Sequence, residues 1–162
     1  MTESNVSEPI YFYRKKDPYY QFTNFWICHI ELDGCKWPTV EHYFQHAKFI
    51  DSSLHRPTIK NAPTANQART RGRDKKYADD IRPDWDTYRL IVMKKALHAK
   101  FTQNEELKTL LMSTDTAELI EDSPTDSFWG IGKKGSGQNH LGRLLMELRT
   151  QLLTESIDSP TI

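Results

Sequence analysis

The sequence predicts an α+β fold: a mainly helical single domain with a small β-sheet. Three observations carry this. Leu141, Leu144, Leu145, Leu148 and Leu152 recur at helical spacing toward the C-terminus. Thr39 and Asp84 each precede a helical pattern as plausible N-caps, with Glu41 in the first turn after Thr39. Asp33-Gly34 separates two short β-prone runs, the signature of a two-residue hairpin turn.

The elements follow in order. Ile10-Tyr11-Phe12-Tyr13 is a short β-prone run, and residues 27–32 with Cys35-Lys36-Trp37 form the two arms of the hairpin. A helix starts after Pro38. A second starts at Thr64 and closes at Gly72, read as a helix-terminating glycine. From Trp85, the positions Tyr88, Val92, Ala96 and Ala99 share one face of a helix running to about Phe101. Asn104 caps another that ends near Met112, and residues 118–121 suit a short strand. The leucine stripe forms the last helix. Residues 1–9 and 154–162 are polar and are expected to be flexible ends around a domain over 10–153.

Length and charge narrow the classes. A chain of 162 residues is enough for one domain with a real core. Its 22 basic residues balance 22 acidic ones, so no global field dictates a nucleic-acid or membrane partner. Locally, Arg69, Arg71, Arg73, Lys75 and Lys76 crowd together, either as a solvated helix end or as phosphate contacts. Cys28 and Cys35 make neither a disulfide framework nor a metal spacing and read as free thiols. No signal-like N-terminal run or membrane-length apolar stretch exists. The expectation is an intracellular protein, cytoplasmic with a nuclear location left open, without membrane contact or a protein partner.

Two regions carry chemistry. Four of the seven glycines fall within eight residues, at Gly130, Gly132, Gly135 and Gly137, between Asp126 and the last helix. Such a cluster suits a turn whose N–H groups hold a phosphate or sugar, or a flexible loop without a ligand. It is no P-loop, since Lys134 follows Gly132-Lys133, and no dinucleotide unit, for want of a following strand. On the first helix, Glu41, Gln45 and Lys48 lie at i, i+4 and i+7 on one face, while Tyr43, Ala47 and Ile50 point elsewhere. With Trp37, Tyr43, Phe44 and Phe49 around it, this stripe fits a cavity wall, though a solvated face gives the same pattern. His42 and His46 stand at i, i+4, but Glu41 precedes rather than follows the first, and no third ligand is apparent. No metal or cofactor is expected.

These segments together resemble the NADAR family, which includes YbiA-type N-glycosidases. The likeness rests on Phe22-Thr23-Asn24-Phe25, on residues 37–45 with Lys48-Phe49, and on Arg82-Pro83-Asp84-Trp85. It continues through residues 126–139 and Leu141-Gly142 to Arg149. Thr23 in place of the usual serine and Ile131 inside the loop are mild departures. The resemblance implies cleavage of a ribose C1–N bond. Its substrate would be ADP-ribosylated guanine in DNA or RNA, or the ribosylamino-pyrimidine phosphate of riboflavin synthesis. The local basic run and the lack of a fused riboflavin-pathway domain in this sequence favour the first. A non-catalytic ADP-ribose reader, which would keep the glycine loop but tolerate loss of Glu41, ranks third because Glu41, Lys48 and Asp126 are all present.

The resemblance singles out Glu41 and Asp126 as the carboxylates. Glu41 is expected to transfer a proton and Asp126 to position ribose, roles that could be exchanged. Lys48 would attack C1 and open the ribose to a Schiff base, or else orient Glu41. Trp85 would stack on base or sugar, or serve the core. Asn24, Gln45 and Asn139 would hydrogen-bond the substrate. Phe25, Trp37, Tyr43, Arg69, Trp129 and the four loop glycines complete the expected binding set.

Overall fold

The computed structural model describes residues 7–159, which fall into two compact units. One is Asn24–Asn104; the other joins the segment ending at Thr23 to that starting at Glu105. In chain order the strands are β1 (Ile10–Phe12), β2 (Ile30–Leu32), β3 (Cys35–Trp37) and β4 (Leu119–Glu121). The helices are α1 (Val40–Ala47), α2 (Arg56–Lys60), α3 (Ala65–Gly72), α4 (Trp85–Gln103), α5 (Glu105–Met112) and α6 (His140–Asp158). The fold class is therefore α+β and mainly helical. Its strands make two separate pairs rather than one sheet.

In the unit Asn24–Asn104, β2 and β3 pair antiparallel with Ile30 opposite Trp37. Asp33 and Gly34 both have positive φ, 52° and 74°, as a type I′ turn requires. The hairpin leads into α1, where Thr39 Oγ1 accepts the His42 N–H and the Asn24 carbonyl accepts the Glu41 N–H. These satisfy two of the orphan donors at a helix start. α1 packs on α2, α3 and α4. Phe49, Ile59, Ala62 and Ala68 form a buried cluster under Tyr77 and Ile81.

Three sequence readings change here. The pattern does not mark α2, whose five residues bury only Ile59, too little for a helical period to register. Asp84 stands at the N-cap of α4, but its carboxylate is held by Arg82 at 2.6 and 3.1 Å and caps no helix N–H. The Asn104 side chain turns back to donate to the Lys100 carbonyl, so it closes α4.

In the other unit, β1 and β4 pair in parallel, Ile10 opposite Leu119. α6 buries Leu141, Leu145, Leu148 and Leu152, with Leu144 half-buried, and packs on β4 and α5. Buried Arg149 donates to Thr114 Oγ1 and the Ala117 carbonyl, tying α6 to the turn after α5. α6 also runs to Asp158, past the expected domain end at 153. Its last turns are held by local bonds such as Gln151 to Glu155, which a polar composition hides. Residues 1–6 and 160–162, part of the expected flexible ends, lie outside the described residues. No helix among the described residues is long and apolar enough to cross a membrane.

Candidate active site

Glu41 sits in the first turn of α1 and is buried, at 6% exposure. One turn on, Gln45 Nε2 donates to Glu41 Oε1 at 2.8 Å. At the end of the helix, Lys48 Nζ donates to the Gly72 carbonyl at 2.9 Å, so the close of α3 meets the polar face of α1. Burial, reinforced by the charge of Arg73, holds the Lys48 amine below its ordinary value, while the charge of Glu41 opposes the shift. The expected stripe is thus a buried carboxylate and amide followed by a half-buried amine. A solvated face is excluded.

Around it, Asn24 holds the helix start through its backbone, and its Oδ1 is buried with no hydrogen-bond partner among the described residues. The Arg69 guanidinium lies over the Phe25 ring at 4.9 Å and bonds Asn66 Oδ1. Trp85 is buried against Phe44, ring centroids 5.0 Å apart, which is the packing its core role requires. Arg71 is committed to the Thr58 carbonyl; exposed Arg73 is the run's member whose charge reaches Lys48.

Trp37 and Tyr43 are not part of this set. They pack edge to face at 5.4 Å; Trp37 Nε1 donates to the Leu32 carbonyl, and the Tyr43 hydroxyl donates to Asp33. Both brace the hairpin, a role that two aromatics beside a hairpin and a helix start also explain. His42 does not present a metal face either. Its ring nitrogens lie 2.7 Å from Thr39 Oγ1 and 2.9 Å from the Ala62 carbonyl. Burial and the charges of Arg56 and Lys60 lower His46 to about 4.

In the other unit, Asp126 Oδ1 accepts the N–H groups of Phe128 and Trp129 at 2.9 and 2.8 Å. The loop beyond is largely self-satisfied. Ile131 and Gly137 bond to the Glu121 and Ile131 carbonyls, and Asn139, His140 and Leu141 to those of Gly130, Phe128 and Trp129. Gly132 and Gly135 have positive φ; a Cβ on Gly130 or Gly137 would meet backbone oxygen at about 2.6 or 2.5 Å. These glycines therefore fold the loop, and those N–H groups are not turned toward an anion. Asn139 is likewise structural. At φ 50°, its side chain accepts the Glu121 N–H and donates to the Leu119 carbonyl, clamping loop to β4. A cleft of about 300 Å³ opens beside the loop, lined by Tyr11, Ile131, Gly135, Gly137, Arg143 and Met146 among others.

A family model described as the NADAR domain matches residues 11–153, running through both units. The chain belongs to the NADAR family. It is 44% identical over 146 residues to N-glycosidase YbiA of Escherichia coli, covering 90% of this chain and 89% of that protein. The NMR structure of E. coli YbiA superposes with a TM-score of 0.87 at 42% identity, over 96% of this chain and 91% of the other. A riboflavin biosynthesis protein of Vibrio vulnificus is 39% identical over 150 residues, 92% of this chain but 40% of the longer relative.

Within this NADAR chain, one residue of the polar face escaped sequence reasoning. Its sequence reading is a helix-terminating glycine, and α3 does end at Gly72, yet its φ is not positive and Arg73 is the C-cap. A glycine at a helix end already has an explanation in sequence, so no further signal marked it.

Proposed function

We propose that this hydrolase of N-glycosyl bonds removes ADP-ribose from ADP-ribosylated guanine in nucleic acid. The observation that carries the reading is the buried face of α1, where Glu41 is fixed by Gln45 and shares its side with an amine of lowered basicity. Bond cleavage sends the C1–N electron pair to the guanine nitrogen, which must gain a proton, and leaves C1 electron-poor. A buried carboxyl group is suited to the proton transfer. An amine made less basic by burial keeps a larger neutral fraction, the form that attacks carbon. Lys48 Nζ then bonds to C1 as guanine departs, and ring opening gives a Schiff base. Water adds to the imine carbon, restoring the lysine and releasing free ADP-ribose.

Support for the substrate comes from charge. Arg73, the C-cap of α3, acts electrostatically on Lys48, and Arg69 lies on α3 over Phe25, two guanidinium groups of the kind that suits a pyrophosphate or nucleic-acid backbone. The relative named for riboflavin biosynthesis favours a second reading, a ribosylamino-pyrimidine phosphate. Product analysis on both N-glycosides side by side separates them. Free ADP-ribose from a modified guanine oligonucleotide is expected, at a specificity constant well above that for the pyrimidine. The reverse ranking would replace the first substrate with the second.

A further inference from the structure

Gly72 has no side chain, yet it meets two of the three polar residues on the α1 face. Its carbonyl accepts Lys48 Nζ. A Cβ at this position would lie 2.1 Å from Gln45 Oε1, 2.7 Å from Gln45 Cδ and 2.9 Å from Gln45 Cβ, three atoms of one side chain. The backbone angle does not demand glycine here, since φ is not positive. Clearance does. Gln45 is 5% exposed, so its amide has no solvent to swing into, and its Oε1 has no hydrogen-bond partner among the described residues. The Gln45 Nε2 meanwhile donates to Glu41 Oε1.

We propose that Gly72 is a positioning residue for the reaction, holding Glu41 through Gln45 and Lys48 directly. The inference rests on the reading of Glu41 and Lys48 as the reacting groups. A single methyl at position 72 must displace the Gln45 amide, breaking its bond to Glu41, or push the end of α3 away from Lys48. Both move a reacting group by an ångström or so, enough to lower kcat about a hundredfold with little change in KM.

Two measurements test this on the full chain. The first uses the free enzyme and needs no substrate. The Gln45 side-chain amide protons should exchange slowly in NMR spectra of the wild type, and their shifts should follow the ionisation of Glu41. Gly72→Ala should abolish both effects. A folded Gly72→Ala with unchanged Gln45 signals and an unchanged Lys48 side-chain signal overturns the proposal, whatever the substrate proves to be. The second is a double-variant cycle on whichever N-glycoside the wild type cleaves. Gly72→Ala should slow turnover far less in Gln45→Ser than in the wild type, because the atoms at 2.1 and 2.7 Å are gone and only the 2.9 Å Cβ contact remains. Losses that simply add would contradict it. If Gly72→Ala fails to fold, the double variant should recover folding; failure of both would assign Gly72 a role unrelated to Gln45. A wild type that releases no ADP-ribose refutes the substrate and leaves these comparisons intact.

Discussion

Lys48 shows how one residue can be half legible in sequence. Its position three residues after Gln45 put it on the Glu41 face, but the alternatives of nucleophile and orienting partner differ only in its surroundings. The structure supplies burial, the Gly72 carbonyl and a neighbouring Arg73, all beyond the reach of spacing arguments. From the lowered amine follows a pH dependence. Trapping of a sugar adduct by borohydride should rise with pH and level off below pH 10.5, the ordinary lysine value. Lys48→Met should trap nothing. Trapping in that variant, or a limb centred at the ordinary lysine value, would remove Lys48 as nucleophile. Trp37, Tyr43 and Asn139 teach the opposite lesson. Trp37 and Tyr43 beside the stripe, and Asn139 beside the glycine loop, read as ligand contacts in sequence, whereas their side-chain hydrogen bonds in the fold go to the hairpin and to β4.

At the scale of elements, strong local signals translated well. The leucine stripe gave α6, Asp33-Gly34 gave the turn, and Thr39 gave the α1 start, because each rests on local chemistry. α2 and the division of the strands into two pairs were hidden, since short elements are chosen by tertiary partners. The glycine loop is intermediate: visible as an ordered feature, with its use visible only when its N–H groups are followed to their acceptors. Its tie to β4 is testable. Asn139→Ala leaves the Glu121 N–H and Leu119 carbonyl without that partner and places alanine at positive φ. A loss of about 2–4 kcal/mol is expected in denaturant unfolding. A loss under about 1 kcal/mol would mean that the clamp is dispensable.

For the molecule as a whole, the most unusual core member is Lys100 on α4, fully buried at 0% exposure. Burial lowers it to about 8, with the nearby Cys28 opposing. The sign follows from proton binding. Between about pH 8 and the ordinary 10.5 the unfolded chain holds this proton more tightly than the folded one, so this group's contribution to stability rises with pH there. Burial raises Cys28, and this contributes in the opposite sense over the alkaline range, so a variant comparison isolates the lysine. Lys100→Met should be more stable than wild type at pH 7 by about 3 kcal/mol, and the gap should close toward pH 10. Urea midpoints at the two pH values report it. A gap independent of pH would show that the lysine pays no desolvation penalty.

The central claim is that the buried face of α1 cleaves the ribose–guanine bond. Its most direct test is single-turnover release of ADP-ribose from an ADP-ribosylated guanine oligonucleotide, by wild type and by Glu41→Gln. The substitution preserves the shape of the side chain and the acceptor for Gln45 while removing the transferable proton. Release by the wild type with a loss of at least about a hundredfold in the variant is the predicted result. Equal release by both proteins would place the chemistry elsewhere in the fold.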